Sequence, residues 1–391
     1  MSYKTLPGYT PDGTIYIDKE MNYLGAMLPP GPWSTAHGPG LLETPTGTLL
    51  CCWFAGTYEG DTDINIVVSR LPLGAPKWEE PTYISNDNDR SDQNPSLFLA
   101  PNGEIWCMYT SQLGRQPGKD NMQYTSVVKK QVSTDDGKTW SAPEVMFPEE
   151  GTFARQPIQI LSNGRWIYGL WLCTDSESGL AGDPSAFQIS DDEGKTWRRV
   201  DVPNSAGRVH PSVAELEPGH VVAFMRSRVA DYIYKSDSYD YGETWTEPKP
   251  TVLPNNNSGI GVIKLESSRV AIVYNHSSAP KSYGKKGAWP GLRCPVNIAL
   301  TEDGGETFPL IRQLERGEGY VGEENRYNNR QYEYPCIMQS SDGMIHVAYA
   351  YQTRRGVKWV SLTEEDVVGG SRGAGTYNPT SGDVGAHPVV K

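Results

Sequence analysis

The 391-residue sequence contains no run of 18 apolar residues, so no membrane-spanning helix and no membrane partner are expected. Its opening segment, MSYKTLPGYTPDG, has no apolar h-region of the kind a secretory leader carries. There is no P-loop, no GxGxxG fingerprint and no HExxH, the common marks of nucleotide, dinucleotide and zinc-protease sites. No CxxC pair occurs among the six cysteines, Cys51, Cys52, Cys107, Cys173, Cys294 and Cys336. Four of them lie in apolar runs that read as strands, which favours buried thiols over disulfides or a metal cluster. A reducing, cytoplasmic location is the expectation that follows. Positive charge is also short: 35 Lys and Arg against 47 Asp and Glu leave a formal net charge of −12. That balance argues against a nucleic-acid partner, while leaving room for a basic pocket on an acidic body.

Turn formers are abundant. The chain holds 41 Gly and 30 Pro, too aperiodic for collagen and too many for a helical bundle. Phe is scarce at 7, against 22 Tyr and 11 Trp, so most aromatics carry a polar edge, as on sugar-binding surfaces. Six segments repeat one pattern: HGPGLLETPTGTLLCCWF, QNPSLFLAPNGEIWCMYT, RQPIQILSNGRWIYGLW, VHPSVAELEPGHVVAFMR, GIGVIKLESSRVAIVYN and EYPCIMQSSDGMIHVAYA. Each reads strand, tight turn, strand, with turn residues Gly47, Gly103, Gly164, Gly219, Ser268 and Gly343. In five of them a proline (Pro39, Pro95, Pro157, Pro211, Pro335) precedes the turn by seven or eight residues.

A second motif recurs at a similar period: STDDGKTW, SDDEGKTW, SYDYGETW and TEDGGETF, centred on Asp135, Asp192, Asp240 and Asp303. The Asp accepts backbone N–H bonds, the Gly supplies a positive φ and the aromatic packs on a neighbouring sheet. Calcium-loop spacing with a distal Glu is absent, so these are read as structural turns. A unit of this length holding four strands is a propeller blade. The expected fold is all-β, a single propeller over residues 1–369 with four-stranded antiparallel blades. Six blades are visible. The 75-residue gap between Ser268 and Gly343 leaves room for a seventh, or for long loops such as SSAPKSYGKKGAWPG. A strand near Thr14–Ile17 is expected to complete the last blade, and residues 370–391 read as a loose tail.

These boxes are similar to the Asp-boxes, or BNR repeats, of the sialidase superfamily, and the resemblance covers roughly residues 35–365. It implies the propeller. It does not fix the chemistry, because such boxes occur in propellers of differing activity.

In a propeller, the residues just before each inner-strand proline converge on the central funnel. They are His37 with Gly38, Gln93 with Asn94, Arg155 with Gln156, His210, Ser258 with Gly259, and Tyr334. Sialidases hold a substrate carboxylate with three Arg, use an Asp as acid/base, and use a Tyr activated by a Glu as nucleophile. Their first Arg lies in an R-I-P-type motif, where this chain has His37-Gly38-Pro39. Their Glu precedes P-S on a middle blade, where this chain has His210. The resemblance leaves Arg228 in MRSR, Arg293 in GLRCP, Asp61 or Asp63 in EGDTD, and Tyr334 (or Tyr332) in QYEYP.

Both departures are His, a proton carrier near neutral pH. Arg155, Arg228 and Arg293 holding a uronate, with His37, His210 and Tyr334 moving protons, is a toolkit for β-elimination that needs no cofactor and no metal. This resembles the propeller lyases and rhamnosidases that act on rhamnose–glucuronate caps, which are seven-bladed. Cleavage of a terminal acidic glycan linkage by elimination is the leading expectation, with Asn94 and Asp61 as further substrate contacts. An acidic oligosaccharide is the expected partner. The alternatives are a sialidase-like exo-glycosidase using Asp61 or Asp63 with Tyr334, and a glycan-binding propeller without turnover. A hydrolase wants two carboxylates, and the candidates are Glu59, Asp61, Asp63, Glu323, Glu324 and Glu333. Alternation beside Tyr334 points Glu333 away from the funnel. Trp33, Trp53, Trp171 and Trp289 are candidate sugar platforms, and Lys285 and Lys286 a candidate anion contact.

Overall fold

The computed structural model describes residues 10–119, 122–174, 179–278, 293–315, 332–351 and 353–371. Six antiparallel sheets follow one another along the chain, as blades 1 to 6 of a propeller. Blade 1 runs Thr35–Glu43, Leu49–Gly56, Asn65–Leu71 and Thr82–Tyr83, and blade 2 begins with Arg90–Leu99 and Ile105–Leu113. Blade 3 is built on Trp166–Leu172, blade 4 on Arg208–Glu217 and His220–Ser227, and blade 5 on Gly261–Lys264 and Val270–Asn275. Blade 6 joins Tyr332–Gln339, Ile345–Tyr351 and Gly356–Leu362 to two strands from the other end of the chain, Tyr23–Met27 and Tyr16–Asp18. Ring closure therefore uses the N-terminal segment, as expected, with two strands in place of one. The described residues make six blades, so the seventh is not needed to close the ring.

All six expected turn residues have positive φ, from +73° at Ser268 to +86° at Gly103 and Gly164. Each second strand is buried on both faces, which is why LLCCWFAG in blade 1 reads as an unbroken apolar run. Buried clusters fill the gaps between successive blades. Leu50 and Phe54 of blade 1 meet Leu97 and Cys107 of blade 2, and Ile167 and Phe187 of blade 3 meet Val221 and Met225 of blade 4. Stacking sheets face to face in a ring removes apolar surface from water on both sides of every blade.

The four Asp-box turns repeat one set of bonds. In the first, Asp135 Oδ1 accepts from the Thr139 amide at 2.9 Å and Oδ2 from the Thr139 hydroxyl at 2.6 Å. The same pair of bonds recurs at Asp192, Asp240 and Asp303. The carboxylates are thus occupied by their own turns, on the outside of the ring. The box aromatics reach the preceding blade: the ring of Trp245 stacks on Phe187 at 4.4 Å. All six cysteines are free thiols, five of them buried.

Candidate active site

The inner strands share a local device. Their ladders slip between His37 and Gly40, Gln93 and Ser96, Val209 and Ser212, and Glu333 and Cys336. Each slip is a bulge carrying a residue of positive φ just before the proline: Gly38 (+64°), Asn94 (+49°), His210 (+56°) and Tyr334 (+53°). A bulge re-aims a side chain that simple alternation would send elsewhere. Side chains of Asn94, His210 and Tyr334 are thereby brought to one cavity of about 260 Å3 at the funnel.

Tyr334 is the centre of this cavity. Its hydroxyl accepts a hydrogen bond from Arg226 Nη1. The guanidinium carbons of Arg155, Arg226 and Arg293 lie 4.9, 5.3 and 5.2 Å from its ring centroid. Burial pushes the phenol up, but the cations Arg226 and Arg293 outweigh it and hold it below its ordinary value. Gly259 makes room underneath, since a Cβ there would meet the Tyr334 ring at 3.0 Å. The His37 ring packs against Tyr334 with centroids 4.2 Å apart, and its Nε2 lies 3.6 Å from Glu333 Oε2. His37 is fully buried behind Tyr334 and does not line the cavity.

His210 stacks on Trp171 with ring centroids 4.0 Å apart. Burial, then Arg226 and three further arginines, push its pKa well down, so the ring is neutral. Arg226 Nη1 sits 3.1 Å from its Nε2. A guanidinium only donates, so Nε2 accepts and the proton is on Nδ1. Arg226 also donates Nε to Asn257 at 2.6 Å, and burial pushes its own pKa down to about 9.

Arg228 and Arg293 also line the cavity. Arg228 pairs with buried Asp183 at 2.9 Å, and Arg293 with Glu333 at 2.7 Å. Arg354 is held by Glu333 at 2.9 Å and also pairs with Glu59. Glu333 is completely buried and turned inward, onto two arginines. The expectation that alternation carries it away from the funnel fails because the bulge replaces alternation at that point. Arg155 is not among the residues lining the main cavity. Its Nη2 donates to the Tyr334 carbonyl at 2.7 Å and Nη1 to the Ile260 carbonyl at 3.3 Å, so it braces two inner strands.

Asp61 and Asp63 do not line the cavity either. Asp63 accepts the Thr57 amide at 3.0 Å, and Asp61 closes a turn through its own amide to the Tyr58 carbonyl. Their loop does reach the funnel, through Tyr58, Glu59 and Gly60. Trp171 lines the cavity, whereas Trp33 and Trp53 pack on each other at 6.1 Å. Glu323, Glu324, Trp289, Lys285 and Lys286 lie outside the described residues.

Sequence reasoning singled out Arg228 in MRSR and passed over Arg226, two residues earlier. The available signal was an arginine inside an otherwise apolar second strand, opposite Val209 in the ladder. Arg354, Gln112, Gln123 and Arg115, which also line the cavity, follow no repeated motif.

The sequence profile of the BNR repeat-like domain family matches residues 47–347. A sialidase of Bacteroides fragilis (strain YCH46) is 24% identical over 361 residues, covering 82% of this chain and 61% of the relative. The chain thus spans about three-fifths of that relative's length. Among solved structures, the intramolecular trans-sialidase of Ruminococcus gnavus superposes with a TM-score of 0.66 at 16% identity, covering 87% of this chain and 97% of that one. A protein of unknown function from Dyadobacter fermentans DSM 18053 gives the same TM-score at 20% identity, over 92% of this chain and all of its own. The chain belongs to the BNR repeat-like domain family and is a β-propeller of the sialidase superfamily.

Proposed function

We propose that this protein is an exo-acting glycoside hydrolase that removes a terminal, carboxylate-bearing sugar, with Tyr334 as nucleophile and Glu59 as acid/base. One observation carries the reading: a buried phenol whose hydroxyl is bonded to an arginine and whose pKa is held below the ordinary phenol value. Core tyrosines elsewhere in this chain behave oppositely, with burial driving Tyr109, Tyr168 and Tyr349 up. A tyrosine tuned the other way is suited to give up its proton and attack an anomeric carbon.

The substrate carboxylate sits against Arg226, the deep arginine whose polar partners are a phenol, an imidazole and an amide. Glu59 enters the cavity from the loop after the second strand of blade 1. In the unliganded site it is paired with Arg354. When substrate entering the cavity parts this pair, Arg354 retains Glu333, and Glu59 takes up a proton from solvent and delivers it to the leaving oxygen. Water, deprotonated by the same carboxylate, releases the sugar from Tyr334.

The tautomer of His210 weighs against elimination with this ring as base, since Nε2 is taken by Arg226 and Nδ1 carries the proton. Elimination with Tyr334 as base is the second reading. It is favoured by one feature, an imidazole across Arg226 from the phenol where a hydrolase would place a carboxylate. Two of the neighbours named above support the first: the Bacteroides fragilis relative is a sialidase, and the Ruminococcus gnavus trans-sialidase structure contains oseltamivir carboxylate. A panel of fluorogenic glycosides of sialic, glucuronic and galacturonic acids, beside neutral sugars, tests the proposal. Turnover confined to acidic sugars, without a rise in absorbance at about 235 nm, is expected. Turnover accompanied by that rise establishes elimination, and preference for a neutral sugar overturns the carboxylate reading.

A further inference from the structure

Five arginines line the cavity: Arg115, Arg226, Arg228, Arg293 and Arg354. Three are ion-paired, with Asp183, Glu333 and Glu59. Arg226 is deep and faces Tyr334. Arg115 is different: it is exposed, at the mouth, and has no carboxylate partner among the described residues. Its guanidinium lies 4.4 Å over the ring of Tyr58. Tyr58 itself is 55% exposed, a large aromatic left uncovered beside the cavity.

The pair is built rather than incidental. The Arg115 amide donates to the Gly60 carbonyl at 2.8 Å, clasping the blade 1 loop to the blade 2 loop. Gly60 stands at φ +96°, and a Cβ there would come within 3.1 Å of Arg115 Cγ. Glycine is needed for the arginine stem to lie along this loop. An exposed stacking contact of this kind stabilises little. A cation at the mouth of a cavity, without a carboxylate partner among the described residues and on a chain of net charge −12, instead draws in anions.

We infer that Arg115, stacked on Tyr58, forms a subsite for a second anionic group, carried by the part of the substrate next to the cleaved bond. The substrate is thus anionic at two positions: a terminal carboxylated sugar held at Arg226, and an adjoining residue bearing a carboxylate or sulfate. This rests on the glycosidase reading above. Tyr58 supplies the stacking face and Arg115 the charge, while Gln112 and Gln123, lining the same cavity, suit the hydroxyls between them.

The test uses umbelliferyl glycosides of the best acidic sugar from the panel, with the aglycone plain, carboxylated or sulfonated. Arg115→Gln is compared with the unaltered protein, so that intrinsic leaving-group differences cancel. The anionic-to-plain ratio of kcat/KM is expected to drop about three- to fivefold in the variant, and the drop to shrink in high salt. Whether carboxylate or sulfonate shows the larger drop tells which anion the subsite prefers. An unchanged ratio overturns the subsite while leaving the glycosidase standing. A second measurement does not need turnover: 4-nitrophenyl sulfate and 4-nitrobenzoate are titrated by saturation-transfer NMR, with every protein carrying Arg226→Gln so that the deep carboxylate site does not compete. At least threefold weaker binding to Arg115→Gln and Tyr58→Ala is expected, and equal binding overturns the inference even if no glycoside is cleaved.

Discussion

Replacing Arg226 with Gln removes the charge that tunes Tyr334. The guanidinium carbon of Arg226 lies 5.3 Å from the Tyr334 ring. At that separation and an effective dielectric near 20, a unit charge is worth about 3 kcal/mol. That corresponds to roughly two pH units on the phenol. The sign is fixed: a nearby cation favours the phenolate, so its loss raises the pKa. The fraction of ionised Tyr334 at neutral pH then falls about a hundredfold, and kcat/KM with it. The limb of the pH profile that reports Tyr334 ionisation moves up by about two units, so activity partly returns in alkali. Arg226→Lys, which keeps a charge, is expected to hold most of the original limb. The assay is kcat/KM against pH for the three proteins, with circular dichroism to confirm that each is folded. A fall in activity that is the same at every pH, with the limb unmoved, would mean that Arg226 only binds substrate and would refute the tuning.

Three further outcomes follow from the geometry. Glu59→Gln should cut kcat/KM about 10²- to 10⁴-fold for a glycoside with a poor leaving group, and far less for a nitrophenyl glycoside, which departs without a proton. Equal losses for both substrates would remove Glu59 as the acid. The box carboxylates of Asp135 and Asp192, bonded to Thr139 and Thr196, are held down at about 2, and Asp303 reaches about 2 because Thr307 outweighs its burial. Their contribution to stability is therefore full above about pH 4 and is lost as the pH falls towards 2. Thr139, Thr196 and Thr307 replaced together by Val should flatten the acid limb of Tm against pH, and an unaltered limb would show that the boxes do not control acid unfolding. A Cβ added at Gly169 would stand 2.2 Å from the Pro211 carbonyl oxygen, beside His210. Gly169→Ala should lose about 1–3 kcal/mol of stability, read by urea denaturation, and an unchanged midpoint would contradict the close approach of blades 3 and 4.

The fold was legible because its determinants are local and repeated. A turn glycine needs only its own backbone geometry, and an Asp-box closes on a threonine four residues later, so both leave a mark at a fixed period. The inward residues His210, Asn94 and Tyr334 were legible for the same reason, through the proline that follows each. Arg226 and Arg354 were not singled out, and Glu59 stood only as one of six candidate carboxylates, because they belong to second strands and connecting loops. Their meeting depends on which blades stand opposite each other across the ring. Asp61 and Asp63 were attractive as carboxylates in the right loop, but the loop turns so that Glu59, an earlier residue, faces the cavity. Arg155 lies two residues before the blade 3 proline, one earlier than the place His210 takes in blade 4, and its guanidinium is taken by the carbonyls of Tyr334 and Ile260.

The repeated bulge also separates what the fold needs from what the site needs. A non-glycine residue at positive φ costs on the order of 1–3 kcal/mol. Blade 3 has the same proline, yet Gln156 before it is not in that region. Blade 5 has no proline at this position, and blade 1 has Gly38 there, which adopts +64° without strain. A propeller blade can therefore be completed with an ordinary or glycine backbone at this place. Blades 2, 4 and 6 instead hold Asn94, His210 and Tyr334 in the strained region, and all three side chains line the one cavity. Strain at this position is thus found where the residue before the proline itself lines the cavity, the pattern expected when backbone energy is spent on aiming reactive groups rather than on closing the ring.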